Sequence, residues 1–234
     1  MKHTYIFALL LCFLTSGITA QTDPEEGVEH SLENAFKHPL DVVEISINSH
    51  PHLVLPDSID RFTGMTWFEV SDCNLKELPA SFCSLNNLMI LSLTSNELTT
   101  LPENIGNLQN LGLLDITNNQ ISRLPASFCS LKKISQLALD QNQFEEFPIC
   151  ITGIEELMSL SLQLNKLKEI PAEIGRLKNL GLLFLMDNQL TTLPDSISML
   201  ENLSFLDLRG NPISAKERER ILKLVPKGCE VVFE

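Results

Sequence analysis

The sequence predicts an α/β solenoid, with short parallel strands along one wall and short helical turns along the other. Three observations carry that prediction. Asn96, Asn119, Asn142, Asn165, Asn188 and Asn211 recur every 23 residues without an insertion. Pro56, Pro79, Pro102, Pro125, Pro148, Pro171 and Pro194 keep the same interval. Apolar residues also hold fixed places around each Asn: Leu88, Leu91, Leu93 and Leu98 for Asn96, and Leu180, Leu183, Leu185 and Leu190 for Asn188. One step back from Asn96 reaches Cys73, framed by Met65, Phe68, Val70 and Leu75. A further step reaches His50, framed by Val42, Ile45 and Ile47, where His52 breaks the pattern. About eight repeats are therefore expected over residues 42–213.

Each part of the repeat has a physical reason. Leu91-Ser92-Leu93 alternates at period 2, which marks a short strand with its leucines on one face. Parallel copies stack ~4.8 Å apart. Where a strand ends, inward-pointing backbone groups lack a ladder partner, and the Asn amide offers two donors and an acceptor. Cys73, Asn96, Asn119, Asn142, Asn165, Asn188 and Asn211 are thus expected to form a structural ladder. Each Pro then fixes φ and blocks a long strand, leaving short helical or 3-10 turns on the return. Strands are narrower than that return layer, so the coil curves with its sheet inside.

The pattern resembles the leucine-rich repeat signature L-x-x-L-x-L-x-x-N/C-x-L. Leu111-Leu114-Ile116-Asn119-Ile121 and Leu157-Leu160-Leu162-Asn165-Leu167 both match it. The second half, as in Leu193-Pro194-Asp195-Ser196-Ile197-Ser198-Met199-Leu200, is similar to the 23-residue subclass of Ras-suppressor-like and many bacterial repeat proteins. This resemblance implies a right-handed horseshoe with a parallel sheet on its concave face. His50 and His52 depart from the signature, so an irregular first coil is expected.

Outside the repeats, residues 1–20 have the build of an export signal. Lys2 is followed by the apolar stretch Ile6–Leu14 and a small-residue exit ending at Ala20. That stretch is too short to span a membrane, and no second apolar run of spanning length follows. Residues 21–41 read as an N-terminal helical cap, with Val28, Leu32, Ala35 and Phe36 as its packing stripe before Pro39. At residues 214–234 a C-terminal cap is expected. Ser214-Ala215-Lys216-Glu217 opens its helix as a capping box, Ile221, Leu224 and Val225 form its apolar stripe, and Val231-Val232-Phe233 adds a closing strand.

Charge and motifs narrow the function. A net charge of −13 opposes nucleic-acid binding, which needs basic groups against phosphate. No zinc-protease motif, Walker loop or serine-nucleophile elbow occurs, and His50 and His52 lack a third ligand. No catalytic, cofactor-binding or metal-binding residues are therefore expected. Of six cysteines, five follow Ala20, and they read mainly as small buried residues. Cys83 and Cys129 fall two coils apart, roughly 10 Å, too far for a bridge. Cys129 with Cys150, on adjacent coils, is the pair that spacing leaves open.

Residues facing outward from the sheet form three columns, six, four and two places before each Asn position. Trp67, Ile90 and Leu113 make an apolar cluster near the front; Leu182, Phe184, Met186 and Phe205 make one near the back. Glu69, Asp115, Asp140 and Asp207 place negative charge around them. Exposed apolar patches of this kind mark protein contacts. The sequence thus points to a secreted, non-enzymatic protein, monomeric, that binds a protein or peptide through its concave sheet. A structural or surface-display role in a cell envelope is the alternative. Export would end in the medium, a periplasm or the cell surface.

Overall fold

The computed structural model describes residues 18–21, 32 and 35–234. Among them ten strands form one parallel sheet in sequence order. They are β1 (Ile18–Gln21), β2 (Val42–Asn48), β3 (Trp67–Ser71), β4 (Ile90–Ser92), β5 (Leu113–Asp115), β6 (Gln136–Ala138), β7 (Ser159–Ser161), β8 (Leu182–Phe184), β9 (Phe205–Asp207) and β10 (Glu230–Val232). The architecture is the solenoid that the periodicity predicts, with β2 to β9 supplied by the repeats. From β3 to β9 each strand residue faces its equivalent 23 positions on, as in Trp67 opposite Ile90 and Leu113 opposite Gln136. Columns read along the sequence are therefore rows across the sheet.

The core lies between the sheet and the returning turns. Leu91, Leu114, Leu137, Leu160, Leu183 and Leu206, the central residues of β4 to β9, are completely buried or nearly so. Burying one such leucine contributes about 1.5–3 kcal/mol. On the other wall, 3-10 turns run at Asp57–Arg61, Ala80–Ser84, Ile105–Asn107, Ala126–Ser130, Ile149–Gly153, Ala172–Arg176 and Asp195–Met199. Proline sets up each of them: its carbonyl accepts the first turn's hydrogen bond, as from the Phe82 amide to Pro79 at 3.0 Å. Ile59, Phe82, Ile105, Phe128, Ile151, Ile174 and Ile197 project from these turns into the core and are fully buried.

The asparagines join coil to coil. Asn142 Nδ2 donates to the carbonyl of Ile116 in the preceding coil at 2.9 Å, and to Leu139 and Asp140 at 3.2 and 3.0 Å. Its Oδ1 accepts the amide of Ile121 at 2.9 Å. Asn96, Asn119, Asn165, Asn188 and Asn211 repeat this geometry. In the earliest of these coils Cys73 Sγ donates to Ser71 O at 3.1 Å and, more weakly, to Ile47 O at 3.7 Å.

Just before each ladder residue the chain turns through left-handed backbone. Asp72, Ser95, Asn118, Gln141, Leu164 and Asp187 have φ between 51° and 57°, and Gly210 has 69°. A Cβ at Gly210 would sit 1.9 Å from Asp187 Oδ1, so a side chain there would require the Asp187 carboxylate to move.

Cysteine usage differs from the sequence expectation. Cys83 is a buried free thiol, but Cys129 is exposed and disulfide-bonded to Cys150, with a Cα separation of 4.8 Å. Adjacent turns touch at this level. At the equivalent places a Cβ on Gly106 would meet Ser127 O at 2.1 Å, and one on Gly175 would meet Ser196 O at 2.9 Å. The close approach requires glycine in those two coils and brings two cysteines within bonding range in another.

The two ends also depart in detail. Residues 18–20, read from sequence as the end of an export signal, lie in β1, where Ala20 faces Ile45. Cleavage after Ala20 would remove three of its four residues. Lys2, Ile6–Leu14 and Val28 lie outside the described residues. Ala35 is buried, and Phe36 stacks on Phe62 with ring centroids 4.6 Å apart. At the other end α1 (Ala215–Leu224) buries Ile221, and Ser214 Oγ accepts the Glu217 amide at 3.3 Å. The Glu217 carboxylate turns to Arg220 and Thr192, and these bonds hold its pKa down to about 2.

Candidate protein-binding face

Strand register assembles the front cluster. Trp67, Ile90 and Leu113 stand in one row across β3, β4 and β5, each half-buried. Trp67 keeps its Nε1 buried with no hydrogen-bond partner. Behind it in the sheet, Leu182 faces Phe205 across β8 and β9, and the Phe184 and Phe205 rings lie 5.4 Å apart. Met186 is half-buried beside this pair. Every one of these side chains keeps part of its surface open on the concave wall.

One exposed apolar residue, bonded through its backbone to Met186, lies outside the column analysis. Leu164 is 42% exposed, has φ 53°, and donates its amide to the Met186 carbonyl at 2.9 Å. Its equivalents are Asp72, Ser95, Asn118, Gln141, Asp187 and Gly210, all polar or glycine, with the Asp, Asn and Gly among them suited to a left-handed turn. A leucine is the exception in that series. That was the available signal, and it lay outside the strand columns.

The four acidic residues do not act alike. Glu69 is half-buried on β3. Asp115 accepts the Thr117 amide at 2.9 Å, and burial raises its pKa. Asp140 accepts the Ser161 hydroxyl and, at 2.7 Å, the Gln163 amide. Burial pushes its pKa up to about 6 against those bonds, and the neighbouring Asp115 charge adds to the rise. Asp207 requires a correction. It is 1% exposed and forms a two-pronged ion pair with Arg209, Nε to Oδ1 at 2.9 Å and Nη2 to Oδ2 at 2.5 Å, so it offers no free charge to a partner.

Between the clusters the floor combines the half-buried Gln136 with small residues. Ala138, Ser159 and Ser161 are 3%, 7% and 0% exposed, and the Ser159 hydroxyl has no hydrogen-bond partner. Such a floor can seat a polar group of a ligand between two apolar contacts. Elsewhere, His52 lines a groove of about 660 Å³ with Leu53, Leu55, Lys76, Leu78 and Glu97, none of them on a strand. No group of three His, Cys, Asp or Glu able to hold a metal occurs among the described residues. Nor is any described helix long and apolar enough to cross a membrane.

Two family profiles match the chain, a leucine-rich repeat region over residues 90–164 and a leucine-rich repeat over residues 155–213. No significant match exists among curated proteins. Solved structures do match. An LRR protein of Leptospira interrogans is 31% identical with a TM-score of 0.56, covering 82% of this chain and 61% of its own. The leucine-rich repeat domain of the type III effector XopL is 28% identical with a TM-score of 0.73, covering 86% of this chain and 71% of its own. The plant peptide hormone receptor RGFR1, solved in complex with RGF2, is 27% identical with a TM-score of 0.69, covering 82% of this chain but 32% of its own. The chain thus spans under two thirds of the Leptospira protein and a third of the plant receptor. Ladder, register and relatives agree, and the chain is a leucine-rich repeat protein.

Proposed function

We propose that this protein is an exported recognition module that binds a protein or peptide on its concave wall, without catalysis. The observation that carries the reading is the pair of half-open apolar clusters, around Trp67 and around Phe184, on a face whose geometry the repeats hold rigid. Large aromatic side chains in such positions dominate binding energy at protein interfaces. A comparable solenoid belongs to a receptor solved with a peptide hormone, which supports the same use here. Export is supported by the leader composition and by the Cys129–Cys150 disulfide, since such bonds persist in oxidising compartments.

Cross-linked capture with the native chain, Trp67→Ala and Phe184→Ala tests the reading, with the exposed convex-wall variant Met199→Ala as control. The expected result is a specific partner retained by the control and lost by both concave variants. Equal recovery by all four chains contradicts it. Light scattering of the unliganded chain separates the envelope-assembly alternative, which requires mass to grow with concentration.

A further inference from the structure

Resting on the concave-face reading, we infer that the bound segment carries a basic side chain, seated over Ala138 and Ser161 between Asp115 and Asp140, with apolar residues on either side. Three independent features converge on that spot. The first is steric. The floor at β6 and β7 sets the small, buried Ala138, Ser159 and Ser161 beside the half-buried Gln136, whereas its flanks carry Leu113 on β5 and Leu182 and Phe184 on β8. The second is electrostatic. Ion pairs among the described residues join Arg209 to Asp207, Arg218 to Glu234, and Arg220 to Asp195 and Glu217. Asp115 and Asp140 have no such cation, although both are half-buried. The third is an unmet hydrogen bond. Ser159, two residues before Ser161 on the same outward face, is 7% exposed and its hydroxyl is unpartnered.

A carboxylate removed from water and left without a countercharge is costly, and a lysine or arginine from a ligand would offset that cost directly. Geometry adds a spacing. Leu113 and Leu182 are three strand steps apart, ~14 Å, which an extended segment crosses in about four residues. The ligand pattern is therefore an apolar residue, a basic residue near the middle, and a second apolar residue about four positions from the first. Negative charge across the face disfavours acidic segments in the same site.

The test is selection from a phage-displayed random peptide library on the full chain, on Asp115→Asn/Asp140→Asn, and on Phe184→Ala. Asparagine keeps an Oδ1 acceptor for the Thr117 amide, the Ser161 hydroxyl and the Gln163 backbone amide, losing the longer contact of Asp140 Oδ2 with the Gln163 side chain, and thermal unfolding confirms that each variant folds. The native chain is expected to enrich peptides with Lys or Arg between apolar residues, and the double variant to bind them at least roughly tenfold more weakly while enriching purely apolar ones. Enrichment that depends on Phe184 but shows no basic preference, or that the double variant leaves intact, overturns the inference and spares the concave face. No enrichment, or peptides that Phe184→Ala binds equally well, overturns both.

Discussion

Asn142 donates its side-chain amide to the carbonyl of Ile116, 26 residues earlier, at 2.9 Å. The same side chain accepts the Ile121 amide. One residue thus satisfies backbone groups that the three-residue strands leave unpaired on both sides of a coil boundary. Asn142→Ala strands at least one buried donor, and unfolding free energy should fall by about 1–3 kcal/mol. Urea titration followed by circular dichroism reads the change. An unaltered midpoint would mean that the amide bonds contribute nothing to stability.

Leu164 makes the opposite case, because the native residue is poorly suited to its backbone. A non-glycine residue at φ 53° is strained by about 1 kcal/mol, and asparagine tolerates that region better. Leu164→Asn should raise the urea midpoint at constant slope. The same change removes an exposed apolar contact next to Met186, so affinity for the concave-face ligand should drop as stability rises. A variant that gained stability and bound equally well would exclude Leu164 from the binding surface.

Asp140 gives the molecule a pH dependence whose sign is fixed. Its folded pKa, about 6, lies above the unfolded carboxylate value near ~3.9. The folded state therefore favours the protonated form. That contribution is fully present below about pH 4 and is lost as pH rises through about 6. Asp140→Asn should remove this loss and be the more stable protein above pH 6, by on the order of 2 kcal/mol. The comparison is the native-minus-variant difference in unfolding free energy across that window. A flat difference would show that Asp140 does not titrate there.

Reduction of Cys129–Cys150 releases a loop of 21 residues in the unfolded chain. The expected cost is about 3 kcal/mol by chain entropy. Cys129→Ser/Cys150→Ser should melt lower than the oxidised native chain and match the native chain in reductant. Ligand binding should persist, because the bridge lies on the convex wall. Identical melting of all three samples would mean that the bridge does not staple the coils.

The strands, turns and ladder were legible because each answers a local requirement that recurs at one interval. Asn142, Pro125 and Leu137 could be assigned without knowing their neighbours. What escaped depended on neighbours across the fold. Asp207 reads as a free charge until Arg209, two residues on along the same face, is seen to close over it. Cys129 reads as one more small residue by position, and spacing leaves its pairing with Cys150 open until the two turns are seen to touch. Leu164 stands out only against its column of turn residues, and β1 lies in a segment whose composition speaks for export instead. Among the residues expected to contact a partner, the apolar ones occupy the wall in two clusters; of the acidic ones, Asp207 is paired with Arg209, Asp115 and Asp140 have no ion-pair cation, and Glu69 is half-buried on β3.

Trp67 is the single tryptophan of the chain and sits on the wall itself, half-buried on β3. Titrating the full chain with a captured partner or a selected peptide, while recording Trp67 emission, therefore reads the recognising surface without a label. Saturable binding with a shift of that emission to shorter wavelength is the predicted result. Saturable binding detected by calorimetry with Trp67 emission unchanged would place the contact elsewhere and contradict the account.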